Sequence, residues 1–449
     1  MTDTICALAS ASGGALGIIR ISGSKAFSIV SSICSVDCGS AVANTVHFTR
    51  LISPQEIVDE ALVTIFRAPH SYTGEDSVEI SCHGSPYILN KVLEILVQSG
   101  CRMANPGEFT MRAYLNGKMD LSQAEAVADL IASTNKVTHQ MAMSQLRGHF
   151  SSELSQLRKQ LLKLTSLLEL ELDFSDHEDL EFADRSELLE LTKTIRHHIT
   201  RLIKTFETGQ ALKQGIPVAI VGKTNVGKST LLNALLKDDR AIVSDIHGTT
   251  RDTIEDTIDI NGVTFRFIDT AGIRQTSDEV EKIGIERTYA AIEKARIVLW
   301  LIDTEPSESE LADMEYRCKD KSLIVAHNKI DLDSNRHFSS LISHHSFLTI
   351  SAKYGTGLDA LESAIYQAAD IPTFSDSDII VSNVRHYDTL LRANEHLQRV
   401  INGLNNNLSG DLLSEDLRLT LDTLSDITGG QITPQETLNN IFKNFCVGK

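Results

Sequence analysis

The sequence predicts a multidomain chain: an α+β domain, then long helices, then an α/β domain with a mostly parallel sheet, then helices again. Three observations carry this. Short β-branched runs mixed with one amphipathic helix fill the stretch to about Asp120. Leucines recur at helical spacing, with no proline, from Ser122 to about Lys213. From Gly215, strand-like apolar runs alternate with helical stretches until Ile371-Pro372, the pattern of a sheet covered by helices on both faces.

The elements follow in order. GIIRIS (Gly17 to Ser22), ALVTIF (Ala61 to Phe66) and SVEISC (Ser77 to Cys82) read as strands, and PYILNKVLEILVQSG (Pro86 to Gly100) as a helix closed by glycine. Leu154, Leu157, Leu161, Leu164 and Leu168 mark a long helix, followed by an acidic connector from Asp173 to Asp184 that reads as a solvated loop. IPVAIVG (Ile216 to Gly222), FRFIDT (Phe265 to Thr270), IVLWLID (Ile297 to Asp303) and SLIVAHN (Ser322 to Asn328) are the expected strands of the α/β domain. Leu390, Leu391, Leu397, Leu417, Leu421 and Leu424 give the last stretch an apolar helical face. The expected boundaries are 1–119, 120–213, 214–372 and 373–449, with the α/β domain inserted into a helical domain built from both sides.

Composition narrows the class. A chain of 449 residues has room for two to four domains, and 23% charged residues is ordinary for a soluble protein. No apolar run approaches the roughly 20 residues that cross a bilayer, and the first residues lack a basic, apolar leader. The seven cysteines, Cys6, Cys34, Cys38, Cys82, Cys101, Cys318 and Cys446, show no metal-ligand spacing; their odd number suits a reducing compartment, so a cytosolic location is expected. The net charge of −18 opposes long-range attraction to polyanions, so any RNA must be met through a local basic patch or through a second protein.

GKTNVGKST (Gly222 to Thr230) fits the phosphate-binding loop G-x-x-x-x-G-K-S/T, between a buried-strand pattern and the helical TLLNALLK. Its glycines allow backbone N–H groups of Asn225, Val226, Gly227 and their neighbours to turn toward phosphate oxygens at the positive end of a helix dipole. Lys228 is placed to bridge the terminal phosphates, and Ser229 to give Mg²⁺ a hydroxyl, with Thr230 following. GTTRD (Gly248 to Asp252) supplies Thr250 to the magnesium shell. DTAG supplies Asp269, Thr270, Ala271 and Gly272, the first holding magnesium through water and the last sensing the terminal phosphate. NKID (Asn328, Lys329, Ile330, Asp331) ends a later strand; its aspartate accepts two hydrogen bonds from guanine, which adenine cannot donate, so discrimination of ~10⁴ is expected. SAK (Ser351, Ala352, Lys353) closes over the base. This ordered set identifies a Ras-like P-loop G domain that binds GTP.

Hydrolysis needs an oriented water and positive charge at the transition state. Ile273, after DTAG, can orient no water, which leaves Arg251, Arg274 and Glu281 as the nearby polar candidates.

The whole chain resembles the MnmE (TrmE) family of bacterial tRNA-modification GTPases, within the TrmE-Era-EngA-type P-loop GTPases. The resemblance rests on GIIRISG (Gly17 to Gly23), SYTGEDSVEI (Ser71 to Ile80), NPGEFTMRAYLNGKMDLSQAEAVADLI (Asn105 to Ile131), GTTRDT, DTAGIR, SDEVEKIGIER (Ser277 to Arg287) and FCVGK (Phe445 to Lys449). It implies a folate-binding, dimerising N-terminal domain, a discontinuous helical domain and an inserted G domain. It implies that the segment Ser244, Asp245, Ile246, His247, Gly248, Thr249 and Thr250 lines the nucleotide. Within it Ser244, Ile246 and Thr249 join Asn225 around a potassium ion that replaces an arginine finger. Ser244 stands where most relatives carry threonine, a conservative change through the hydroxyl and a neutral one through the carbonyl. Glu281 takes the place of the water-orienting glutamate, beside Lys228 as a catalytic group.

The resemblance also implies folate contacts at Arg20, Glu79, Lys118 and the terminal Lys449, and a catalytic candidate at Cys446. The implied reaction adds a carboxymethylaminomethyl or aminomethyl group to the wobble uridine of certain tRNAs. A 5-formyl- or methylene-tetrahydrofolate would provide the carbon. The homodimer would work with an FAD-dependent partner, MnmG (GidA), in a heterotetramer; no dinucleotide fingerprint occurs in this chain, so flavin must come from that partner. GTP hydrolysis would open and close the G domains. Two rival readings are a GTP switch in RNA or ribosome assembly without modification chemistry, and flanking helices that serve only as a dimerisation scaffold. Folate binding separates both from the favoured reading.

Overall fold

The computed structural model describes residues 3–11, 13–54, 56–173, 185–238, 256–268, 281–332, 346–372, 378–430, 435–443 and 445–448. The chain forms two compact units, one of Met1–Ala132, Ala142–Thr200 and Asp388–Lys449, the other of Ser133–Met141 and Arg201–Tyr387.

The first unit begins with β1 (Ile5–Leu8), β2 (Leu16–Ser22), α1 (Ala26–Ile33), β3 (Thr45–Ile52), β4 (Ile57–Phe66), β5 (Ser77–His83), α2 (Pro86–Gln98), β6 (Arg102–Met103) and α3 (Glu108–Leu115). The six strands lie in the order β3-β4-β5-β2-β1-β6, antiparallel throughout except β1 with β6. Strand alternation sorts the side chains. Ile19, Ile21, Val63, Val78 and Ile80 face a core with Ile29 and Val30 of α1 and Leu89, Val92 and Leu96 of α2. On the opposite face, Ile5 and Ala7 pack on Phe109 of α3, and Arg20 stands directly across from Glu79. Over β3 and β4 that second face stays bare, with Phe48 66% and Leu62 45% exposed opposite each other.

Helices α4 (Leu121–Ala132), α5 (Lys136–Leu146), α6 (His149–Asp173) and α7 (Arg185–Lys204) follow. The leucine series holds: Leu154, Leu157, Leu161, Leu164 and Leu168 are all buried on α6. The acidic connector lies outside the described residues from 174 on.

The second unit holds α8 (Phe206–Gln214), β7 (Ile216–Val221), α9 (Lys228–Asp238), β8 (Asp256–Ile260), β9 (Val263–Phe267), α10 (Glu281–Lys294), β10 (Ile297–Ile302), α11 (Glu308–Arg317), β11 (Ser322–His327), β12 (Ser346–Thr349) and α12 (Leu358–Ala368). Its sheet runs β12-β11-β10-β7-β9-β8, parallel except the β8–β9 hairpin. Both faces are covered, which is why the strands read as unbroken apolar runs. Val218, Ile220, Leu299 and Leu301 pack on Leu231, Leu235 and Leu361; Ala219, Val221, Val298 and Trp300 pack on Ile292 and Leu311.

The chain closes with α13 (Val384–Asn405), α14 (Gly410–Thr428) and α15 (Gln435–Phe442). In the first unit α14 packs along α6 and α4, and Arg399 bonds Asp416 at 2.7 Å. The early and late helical stretches therefore pack together, which the leucine patterns by themselves did not show.

Candidate functional site

In parallel α/β sheets, ligands sit beyond the carboxyl ends of the strands. There the loop after β7 leads into α9, and Asn225 takes a left-handed conformation with φ +60° at its exposed turn. Gly227, at φ +103°, lies so close to Asn328 that a Cβ would run into the amide nitrogen of that side chain. The Lys228 ammonium folds back on the loop and donates to the carbonyls of Gly222 (2.6 Å) and Lys223 (2.7 Å). Burial pushes its pKa below the ordinary lysine value. An incoming phosphate offers that half-buried cation stronger acceptors than two neutral carbonyls. Ser229 and Thr230 occupy the first turn of α9, behind Lys228.

Asn328 joins two loops. Its Nδ2 donates to the Val226 carbonyl at 2.8 Å, and its Oδ1 accepts the Ala352 N–H at 2.9 Å. The phosphate loop and the base loop are thereby tied through one buried side chain. The buried Ser351 hydroxyl donates to Asp331 Oδ1 at 2.6 Å and so orients that carboxylate. Lys329 has φ +66° and its ammonium pairs with Asp303 Oδ2 at 2.9 Å. Lys353 lies 5.0 Å from the ring centre of Tyr354, on the exposed rim.

Asp303 and Glu310 were not singled out from sequence. Asp303 follows the fully buried strand β10, and a charge at the carboxyl end of a parallel strand is a usable signal. Glu310 belongs to the capping box of α11 and also pairs with Lys223 of the phosphate loop at 2.7 Å. The sequence-predicted residues Ser244, Asp245, Ile246, His247, Gly248, Thr249, Thr250 and Arg251 lie outside the described residues, as do Asp269, Thr270, Ala271, Gly272 and Arg274. Glu281 opens α10; its side chain is likewise outside them.

In the first unit the structure brings Arg20 and Glu79 together. The Nε and Nη2 of Arg20 both reach Glu79 Oε1 at 2.8 Å. The guanidinium lies over the rings of Tyr72 and Phe109, at 5.2 and 5.7 Å. Its Nη1 donates to the carbonyl of Gly448, 3.2 Å away, in the C-terminal tail. The tail is pinned at a second point, where the Gly107 N–H donates to the Cys446 carbonyl at 3.3 Å. Gly448 has φ +94°, and a Cβ there would run into the carbonyl oxygen of Leu8. Cys446 itself is exposed, and Lys449 lies outside the described residues. Lys118 is exposed and donates to the Pro69 carbonyl at 2.9 Å, so it borders the loop that carries Tyr72 rather than joining the Arg20–Glu79 pair.

Residues 4–118 match the family model for the GTP-binding protein TrmE N-terminus, and residues 121–446 match that for the MnmE helical domain. The tRNA modification GTPase MnmE of Bacteroides thetaiotaomicron is 53% identical, over 100% of this chain and 99% of its own length. The protein of the same name from Christiangramia forsetii is 48% identical over 100% of both chains. Among solved structures, the G domain of the T. maritima FeoB iron transporter is 25% identical, with a TM-score of 0.25, covering 34% of this chain and 98% of its own.

Proposed function

The chain belongs to the MnmE family of tRNA modification GTPases, and from that premise we propose how its residues divide the work. GTP binds with its phosphates on the loop from Gly222 to Ser229. Lys228 exchanges its two carbonyl partners for phosphate oxygens, and the N–H groups at the start of α9 hold the rest. Asp331, already oriented by Ser351, takes the guanine edge. Ser229 and Thr250 would hold Mg²⁺; Asn225, Ser244, Ile246 and Thr249 would hold K⁺, which when bound supplies positive charge beside the terminal phosphates. Glu281 orients the attacking water. The observation that carries this reading is the Asn328 brace, which makes phosphate binding and base binding one mechanical unit.

The test is GTP turnover in potassium and in sodium buffers of equal ionic strength. Potassium stimulation that disappears in Asn225→Ala is expected; equal rates in both salts would sink the cation assignment.

A reduced folate binds in the first unit beside Arg20 and Glu79, and supplies the one-carbon unit for wobble-uridine modification. The supporting feature is a paired arginine and glutamate whose guanidinium lies over the rings of Tyr72 and Phe109 and donates to the Gly448 carbonyl. Lys118 and Lys449 complete the basic side of that site, and Cys446 acts beside it. A second copy of the chain covers the bare sheet face over β3 and β4, where Val46, Phe48, Ile57 and Leu62 are exposed. The flavoprotein partner MnmG supplies redox chemistry and holds much of the tRNA, in keeping with the net charge of −18. No helix among the described residues is long and apolar enough to cross a membrane, and we place the assembly in the cytoplasm. The domain limits 1–119, 120–213, 214–372 and 373–449 remain our working division.

A further inference from the structure

Two pairs of neighbouring buried thiols lie in the first unit, Cys6 with Cys101 and Cys34 with Cys38. The second pair converges on one backbone carbonyl. Cys34 follows α1 directly and bridges Leu51 of β3, and Cys38 lies just beyond the bend at Ser35 and Val36. The two Sγ atoms lie 3.6 and 3.8 Å from one acceptor, the Val36 carbonyl oxygen. Thr49 of β3 accepts the Ser35 N–H at 3.1 Å and ties the start of this loop to the sheet. Ionising Cys34 lets the Cys38 proton turn toward it. That hydrogen bond outweighs burial and draws Cys34 down to about 6, while Cys38 is pushed up. Cys38 is wholly buried, whereas Cys34 keeps 9% exposure at the rim of the core. Arg67 fixes the loop by donating to the carbonyls of Gly39 (2.6 Å) and Ala41 (2.8 Å).

We propose that Cys34 and Cys38 form a dithiol site oxidised by hydroperoxides, with Cys34 attacking and Cys38 resolving. The Cys34 thiolate bonds to one peroxide oxygen and the O–O bond breaks. The departing oxygen takes a proton and leaves as water or an alcohol, and Cys34 becomes a sulfenic acid. The Cys38 sulfur then attacks the sulfenic sulfur, the S–S bond forms, and the hydroxyl leaves as water with the proton from Cys38. Two electrons pass from the thiol pair to the peroxide. Holding the resolving thiol beside the sulfenic acid favours this closure over reaction with an external thiol. Cys6, by contrast, is fully buried on β1 between β2 and β6.

The experiment treats the reduced full-length protein with hydrogen peroxide, alkylates the remaining thiols, and maps the digest by mass spectrometry. A Cys34–Cys38 disulfide, with loss of two alkylatable thiols per chain before Cys6 or Cys101 changes, is the expected result. In Cys38→Ser, dimedone should label Cys34; in Cys34→Ser the disulfide should be lost. Oxidation confined to Cys446, or a Cys6–Cys101 link appearing first, would overturn the proposal. The wild-type map decides by itself if either variant fails to fold.

Discussion

At the scale of single residues, two side chains at the nucleotide site make opposite kinds of prediction. Asn328→Ala removes both partners of a buried brace and leaves the Val226 carbonyl and the Ala352 N–H unpaired. About 1–3 kcal/mol of lost stability is expected, because a stranded buried polar group bears its full desolvation penalty. The check is a thermal melt with and without GDP, where the nucleotide-induced rise should shrink as well. Asp303→Asn keeps the shape near Lys329 and removes only the charge of a half-exposed pair. Its expected cost is smaller, about 0.5–1 kcal/mol or a few-fold in guanine-nucleotide affinity, with the melting midpoint of the free protein unchanged. A fluorescent GDP titration reads this directly. Asn328 was legible in the sequence because NKID is a local motif. The position of Asp303 at a strand end was legible too, but its partner, 26 positions away, was not.

At the scale of elements, the first unit hangs α3 on a buried ion network. Arg112, 1% exposed, bonds Glu108, itself 2% exposed, at 3.0 Å, and also bonds Glu75 and Asp3. For Glu108, burial alone would raise the carboxyl; hydrogen bonds from Arg102, the Asn105 amide and Arg112 outweigh it and hold the pKa below the ordinary value. For Asp3, the Arg102 hydrogen bond dominates in the same direction. A carboxyl depressed on folding contributes stability above its unfolded pKa, near 4, and loses it as pH falls through the folded value. The network should therefore support the unit at neutral pH and fail below about pH 4. Arg112→Met removes the counter-charge of Glu75 and one of the two on the buried Glu108, which keeps Arg102. A loss of about 3–5 kcal/mol at neutral pH is expected, measured by urea unfolding. Leu161→Ala, in the fully buried row of α6, should cost about 2–5 kcal/mol by the same measurement. The leucine spacing announced that row; nothing local announced Arg112, which reads as one more surface arginine until α3 buries it.

At the scale of the whole molecule, the end of β1 and the tail around Gly448 meet within the first unit. Gly448 sits against Leu8 with a left-handed backbone and hands its carbonyl to Arg20. Gly448→Ala adds a Cβ where the Leu8 carbonyl already stands and strains the backbone as well. The tail should detach, and tetrahydrofolate affinity, read by calorimetry, should fall at least several-fold while GDP affinity stays as it was. Unchanged folate binding in this variant would separate the tail from the proposed folate site.

The sequence by itself determined the order of the domains, four of the six strands of the nucleotide sheet and the phosphate and guanine loops, because each is written in local spacing: period two, period 3.6, or a motif of a few residues. It also carried the family, through matches spread over the whole chain. It did not give β1, β3, β6, β8 and β12, which are short or exposed on one side and are defined by their neighbours in the sheet. Only the tertiary structure decided that Arg20 meets Glu79 and Gly448, that Arg112 is buried, that Cys34 and Cys38 share one carbonyl, and that α14 packs on α6. Each of these depends on a residue's surroundings being assembled from distant parts of the chain, and charge, burial and pairing are properties of surroundings rather than of residue type.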